Sequence, residues 1–588
     1  MQRLPRARSP AAPRRAARGL LALLALVALA REARAGASPA ADLVLRGGAV
    51  YTLDAARSWA QAVAVRGGRI VYVGSDAGVL AFVGARTRVI ALGGHMLLPG
   101  FQDAHVHPLS AGLEHGLCEL GGLETREAVV AKIRACAAEQ PGPWLVGSGW
   151  ELTLFPAGSP DRRLLDELAP DRKVFFWAAD GHSAWVSSRA LAQAGIDAAT
   201  PDPPGGRIER DPATREPSGT LRESAAERVA RLLPRPTLEE RRTALRWAAQ
   251  RLVALGITAA QDASAAPEDL ATYRDAERRG ELPLRIVAAL STAEAMAGLP
   301  EGRRGDATAA VAKLVALRAE YLGPRLRPTG AKIFVDGVIE SRTAAMLEPY
   351  LDRPGDRGEP KLSSEALGGL VAALVRERFS VHLHAIGDRA VRMSLDALEA
   401  AGARRGAGGP RHQIAHLEVI HPGDLPRFRR LGVIALFQPL WAYADPYITE
   451  LTLPALGPER SRWIYSIGSA ERAGAPLAFG SDWSVSSPDP LAGIQVALTR
   501  EWSGGRPGAF LPEQAIGLDT ALAAYTIGAA VANGLDAETG SIEVGKLADL
   551  AVVSQDLFDL PPARISTARV QLTLVEGEPV FRAPDFAW

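Results

Sequence analysis

Between Leu97 and Ser481 eight short apolar runs alternate with stretches of helical periodicity, and this alternation limits the fold more than any other feature of the chain. The runs are Leu97–His105, Gly256–Gln261, Leu284–Leu290, Gly330–Val335, Val381–Ala385, Gln413–Leu417, Val433–Phe437 and Leu477–Ser481. Near-continuous apolar strands separated by helices are what a parallel sheet requires, because each strand is covered on both faces and each crossover needs a helix. Eight such units fit an α/β fold of the (β/α)8 TIM-barrel type over residues 99–539, with its functional groups at the C-terminal ends of the strands. The spacing has one anomaly: about 150 residues separate the first two runs, which predicts an insertion over roughly 109–250 standing above the barrel mouth. Residues 42–98 and 540–588 read instead as short strands between Gly-rich turns, and the two chain ends are expected to pair into one small β domain.

The chemistry-bearing residues fall at the predicted strand ends. His105 and His107 form a His-x-His pair, and alternate residues of an extended chain share a face, so both imidazoles can point at one ion. His384 closes the fifth run, His416 the sixth, and Asp482 follows the eighth. Four of the ten histidines thus sit at C-terminal strand ends, which chance clustering explains poorly. Lys332 lies inside the fourth run of a chain with 61 Arg and only six Lys, so an amine there points to chemistry rather than plain charge. A neutral amine that captures carbon dioxide becomes an anionic carbamate able to bridge two divalent ions; the competing reading is a snorkelling or salt-bridged lysine.

Charge and cysteine content remove other classes. The chain carries 67 basic and 66 acidic residues, so it has no general attraction for nucleic acid. Two cysteines, Cys118 and Cys136, cannot build a thiolate zinc module. Eight arginines and one acid fall in residues 1–35; without that +7 the rest of the chain stands at −6. The order of basic stretch, eleven-residue apolar run Leu20–Ala30 and Ala33-Arg34-Ala35 matches a signal peptide cleaved after Ala35, against an uncleaved anchor or a disordered arm. The run is too short to span a bilayer, and no other apolar run is long enough, so the mature chain is expected to lack an integral membrane segment and to be periplasmic or secreted. In an oxidising compartment Cys118 and Cys136 either bridge or remain two buried thiols. The sequence leaves the oligomeric state open, a homo-oligomer included.

Read in order, several motifs make the chain resemble the amidohydrolase superfamily, in the subgroup that includes N-substituted formamide deformylases (amidohydrolase family 3). They are Leu98-Pro99-Gly100-Phe101-Gln102-Asp103-Ala104-His105-Val106-His107, Trp144 to Trp150, Asp180-Gly181-His182-Ser183-Ala184-Trp185, Lys332 with Asp336-Gly337, His384 to Asp388, Gln438-Pro439, Gly480-Ser481-Asp482 and Gly545 to Leu550. The resemblance implies His105, His107, His384, His416 and Asp482 as metal ligands, Lys332 as the carboxylated bridge, and a β-sandwich built from both chain ends. Two positions depart from the family pattern: Ala415 stands where Glu is frequent and Ser187 where Asn is frequent, which bears on substrate contacts.

The expected activity is metal-dependent hydrolysis of a carbon–nitrogen bond other than a peptide bond in a small molecule. One or two divalent ions, zinc foremost, would activate hydroxide, and Asp482 would take its proton and pass it to the leaving amine. Ester or lactone hydrolysis, isomerisation on the same site, or a catalytically inactive binding protein are the alternatives. His182, Trp150 and Gln438 are expected to contact substrate, with Trp177 and Trp441 as further candidates for the pocket wall. His382 and His412 are either donors behind the ligands or buried polar residues.

Overall fold

The computed structural model describes residues 40–587 apart from 301, 302, 304, 405–408, 503, 504 and 506. The signal peptide expected over residues 1–35 therefore lies outside the described residues. Eight parallel strands form the central sheet: β1 (Phe101–Val106), β2 (Ile257–Ala265), β3 (Arg285–Ser291), β4 (Leu326–Phe334), β5 (Ser380–Ala385), β6 (Gln413–His416), β7 (Ile434–Phe437) and β8 (Leu477–Phe479). They are hydrogen-bonded in chain order, and the fold is a (β/α)8 barrel. Closure between β8 and β1 is made just beyond the regular ladder, where Asp482 N–H donates to His105 O at 2.7 Å and His107 N–H to Trp483 O at 2.9 Å. Gly480 permits this approach, because a Cβ there would lie 2.5 Å from the His105 nitrogen. The Asp103 carboxylate locks the seam, accepting from Ser481 N–H at 3.0 Å and Ser481 Oγ at 2.5 Å.

The helices begin and end where local chemistry dictates. Leu238–Ala254 opens on a capping box of Thr237 and Glu240. Pro267–Arg279 starts with proline at its first position and stops at Gly280, whose φ of 70° is the left-handed conformation a glycine tolerates. Asp388–Ala400 buries Val391, Leu395 and Leu398 on one face against the barrel core, so truncating Leu395 to Ala would cost about 2–5 kcal/mol.

The first apolar run divides at Gly100. Met96–Pro99 joins an eight-stranded mixed sheet of the two chain ends, pairing with Leu550–Val553, while Phe101–Val106 enters the barrel. One uninterrupted strand, as the sequence suggested, would have placed both halves in the same sheet. The terminal sheet also contains Leu43–Tyr51, Trp59–Arg66, Val570–Val575 and Glu578–Arg582, and is one hydrogen-bonded sheet around an apolar cluster that includes Leu45, Val63, Leu97, Val552 and Leu572. The insertion after β1 carries its own six-stranded sheet within residues 118–223 and two small cores of its own. It ends earlier than predicted, since Ala244, Leu245, Ala249, Leu252 and Val253 of the helix Leu238–Ala254 pack into the barrel core. Cys118 and Cys136 are joined by a disulfide within the insertion. Among the described residues no helix is long and apolar enough to cross a membrane.

Candidate metal centre

Register and backbone conformation bring the polar residues together at the C-terminal ends of the strands. Lys332 on β4 stands beside His382 on β5, which stands beside Gln413 on β6; His384, two residues further along β5, shares the face of His382. His416 and Asp482 sit just where their strands end, with φ of 77° and 55°, a conformation uncommon for residues with a side chain. One nitrogen of His105, one of His416 and a carboxylate oxygen of Asp482 lie within 4.8 Å of one another, and all three residues are buried. Asp482 reaches three imidazoles: His107 Nε2 at 3.2 Å, His105 Nε2 at 3.6 Å and His416 Nδ1 at 3.7 Å.

The other expected ligands stand around this group. His107 also lies 3.9 Å from Asp262 through Nδ1, and although burial opposes it, these carboxylates raise its pKa. His384 directs Nε2 to the Gly337 carbonyl at 3.1 Å, with its ring centre 4.5 Å from that of His416. Lys332 Nζ lies 3.4 Å from His105 Nε2. The amine is 1% exposed and no carboxylate comes within 4.0 Å of it among the described residues, so neither snorkelling nor a salt bridge accounts for it. Burial lowers its pKa to about 7.

His105 and His416 are kept neutral and aimed. Burial, then the charge of Lys332, holds His105 well below its ordinary value, and burial brings His416 down to about 3. Behind His105 runs a chain of buried amides whose polarity is fixed at its far end, where Thr539 Oγ1 donates to the Leu535 carbonyl. Gln102 Nε2 donates to Thr539, Asn533 Nδ2 to Gln102, and Gln261 Nε2 to Asn533, at 2.8, 3.0 and 3.3 Å. Gln261 Oε1 then accepts from His382 Nδ1 at 2.6 Å, so His382 Nε2 accepts from His105 Nδ1 at 2.9 Å. The Nε2 lone pair of His105 is what remains. On the other side His416 Nδ1 donates to Gln438 Oε1 at 3.0 Å, leaving the buried Gln438 Nε2 without a partner among the described residues. Neutral imidazoles, an ionised carboxylate and an orphaned amide donor beside them suit a divalent ion with a carbonyl ligand near it.

The predicted substrate contacts separate. A cleft of about 700 Å³ opens between the insertion and the loop after β8, lined in part by Glu114, Trp177, Gly181, Trp247 and Trp483. His182 adjoins the cleft beside Gly181, with its ring centre 5.3 Å from that of His384. Trp441 stacks on His416 at 5.7 Å. Trp150 does not reach the site: it is fully buried in the insertion's core and donates Nε1–H to the Phe176 carbonyl, because its strand turns this side chain inward. His412 is also elsewhere, at the start of β6, where Nδ1 accepts from Val381 N–H at 3.2 Å.

Three residues of the site were not singled out from sequence. Asp262, which accepts from Tyr273 Oη at 2.8 Å, follows the predicted second strand directly and was open to the same strand-end argument as Asp482. Gln261 and Glu223 carried no local signal, since their partners lie far along the chain.

Eight parallel strands with imidazole and carboxylate donors at their C-terminal ends define the class of metal-dependent barrel hydrolases. The amidohydrolase family model (Amidohydro_3) matches residues 88–581, and the chain belongs to that family. It is 31% identical to protein LONG AFTER FAR-RED 3 of Arabidopsis thaliana, over 92% of each chain. It is 29% identical to N-substituted formamide deformylase of Arthrobacter pascens, covering 91% of this chain and 97% of that one. An uncharacterized metal-dependent hydrolase from Pyrococcus furiosus shares the fold, with a TM-score of 0.66, 24% identity and coverage of 89% of this chain and 99% of that one.

Proposed function

We propose that this amidohydrolase hydrolyses a carbon–nitrogen bond other than a peptide bond in a small exported-compartment substrate, an N-formyl or N-acyl amine. The observation that carries the reading is the convergence of His105, His416 and Asp482 within 4.8 Å, with His107, His384 and Lys332 around them. The likeness to N-substituted formamide deformylase supports the choice of bond. These six residues would hold one or two divalent ions, zinc foremost, with Lys332 carboxylated; its amine, lowered by burial to about 7, is neutral often enough at neutral pH to react with carbon dioxide. A bound divalent ion would supply Lewis acidity toward a substrate carbonyl and toward water.

The chain's own residues do the rest. Asp482 is ionised: burial would raise its carboxyl, but the His107 hydrogen bond and the surrounding charges bring it down to about 2. It can therefore accept a proton at Oδ1 or Oδ2 and release it to a leaving nitrogen. Gln438 Nε2, buried and unpartnered, offers a hydrogen bond to a carbonyl oxygen. The cleft between insertion and barrel, lined by Trp483 next to Asp482, would admit the substituent on nitrogen. A screen of purified metal-loaded protein against N-formyl amines, N-acyl amino acids, cyclic imides and lactones tests the reading; amine release from the N-acyl compounds supports it, and turnover of lactones alone overturns it.

A further inference from the structure

Glu223 is the most conspicuous residue that the reading above leaves unused. It closes the insertion strand Pro217–Glu223, is 5% exposed, and has a φ of 52°, a strained conformation for a residue with a side chain. Its carboxylate faces His182 Nδ1 at 3.0 Å, Lys361 Nζ at 2.9 Å and Thr343 Oγ1 at 2.9 Å. It also lies against Gly337, where a Cβ would come within 2.3 Å of Glu223 Oε1. The partners come from two bodies. His182 belongs to the insertion and is tied to Glu223 a second time, Glu223 N–H donating to the His182 carbonyl at 2.8 Å. Thr343 and Lys361 belong to the barrel, in the segment after β4, where Lys361 N–H donates to Val335 O at 2.7 Å.

An ionised carboxylate only accepts, so its contact with His182 places a proton on Nδ1 and leaves Nε2 as the free ring nitrogen. His182 Nε2 has no partner among the described residues, and its ring lies beside that of His384 at the barrel mouth. From this geometry we infer that Glu223 is a positioning residue: held by Thr343 and Lys361 of the barrel, it fixes the tautomer and orientation of His182 so that Nε2 contacts the substrate. The strained backbone has a function on this view, since it turns the Glu223 side chain back across the insertion–barrel boundary to meet all three partners. Orientation of His182 and docking of the insertion are then one structural event.

The inference rests on the proposed hydrolysis for its catalytic arm only. With selectively ¹⁵N-histidine-labelled full-length protein, His182 is assigned by the signal lost in His182→Gln, and its tautomer is read directly. Wild type should show a protonated Nδ1, and Glu223→Gln should shift the His182 signals toward a mixture of tautomers while metal content stays close to wild type; Tm should fall, because Lys361 loses its buried carboxylate partner. In turnover of an N-acyl amine, Glu223→Gln and His182→Ala should each lower kcat about 10- to 100-fold, by analogy with loss of groups that orient a site histidine. The double variant should be no slower than His182→Ala alone. A His182 tautomer unchanged by Glu223→Gln, or losses in kcat that multiply in the double variant, would overturn the positioning role. A shifted tautomer in a protein that releases no amine would leave Glu223 in place and contradict the carbon–nitrogen reading instead.

Discussion

His382 Nε2 lies 2.9 Å from His105 Nδ1, and this contact decides which nitrogen of His105 is left for an ion. Because His382 is itself fixed through Gln261 at 2.6 Å, the choice is set by a buried chain that ends on the backbone at Leu535. His382→Leu should therefore lower metal affinity about 10- to 100-fold without changing the ligand set, and His382→Gln, which can still accept from Nδ1, should lose less. Competitive chelator titration measures this; equal affinity in wild type and His382→Leu would show that the chain behind His105 does not set its metal-binding nitrogen.

Asp482→Asn separates binding from proton transfer. An amide oxygen can still lie beside His105, His107 and His416, but it cannot take up a proton, so the variant should retain much of its metal and lose about 100- to 10,000-fold in kcat. Elemental analysis and steady-state kinetics on the same sample give both numbers. Turnover near wild type would exclude Asp482 as the base.

Lys332 decides between a one-metal and a two-metal centre. The buried amine at 3.4 Å from His105 Nε2 would repel a cation if protonated and bridge two if carboxylated. Lys332→Ala should lose about one equivalent of metal and recover part of it with a short carboxylic acid, whereas Lys332→Arg, permanently cationic, should not substitute. Two metals and near-normal turnover in Lys332→Arg would return Lys332 to a structural role.

His412 gives a pH-dependent stability. Burial lowers its pKa from 6.5 to about 4, and its Nδ1 accepts from Val381 N–H, so the folded protein holds it neutral while the unfolded chain protonates it. The unfolded state thus binds more protons between pH 6.5 and 4, and stability from this group is full above 6.5 and lost as pH falls toward 4. His412→Gln should flatten the fall in Tm over that window. A slope identical to wild type would show that other groups carry it.

How far the sequence reveals this depends on the distance over which each residue acts. The barrel strands and the His105, His107, His384, His416 and Asp482 positions are legible because apolar runs and strand ends are local patterns. The break at Gly100 is not, since it depends on the approach of Thr258 and on Asp549 O, which accepts the Gly100 N–H at 2.8 Å. Trp150 was misplaced for a related reason: a tryptophan at the end of a strand looks the same whether it turns toward a cleft or toward Phe155 and Trp185, its neighbours in the core. Glu223 and Gln261 acquire meaning only from residues brought to them by the fold.

Amine release as a function of divalent metal added to chelator-stripped protein links the residues around Asp482 to carbon–nitrogen cleavage in one measurement. With an N-formyl or N-acyl amine as substrate, the stripped protein should release no amine, and release should rise and saturate at one or two equivalents of zinc per chain. Equal amine release before and after metal addition, or metal uptake that restores cleavage of lactones and esters only, would rule out a metal-dependent carbon–nitrogen hydrolase.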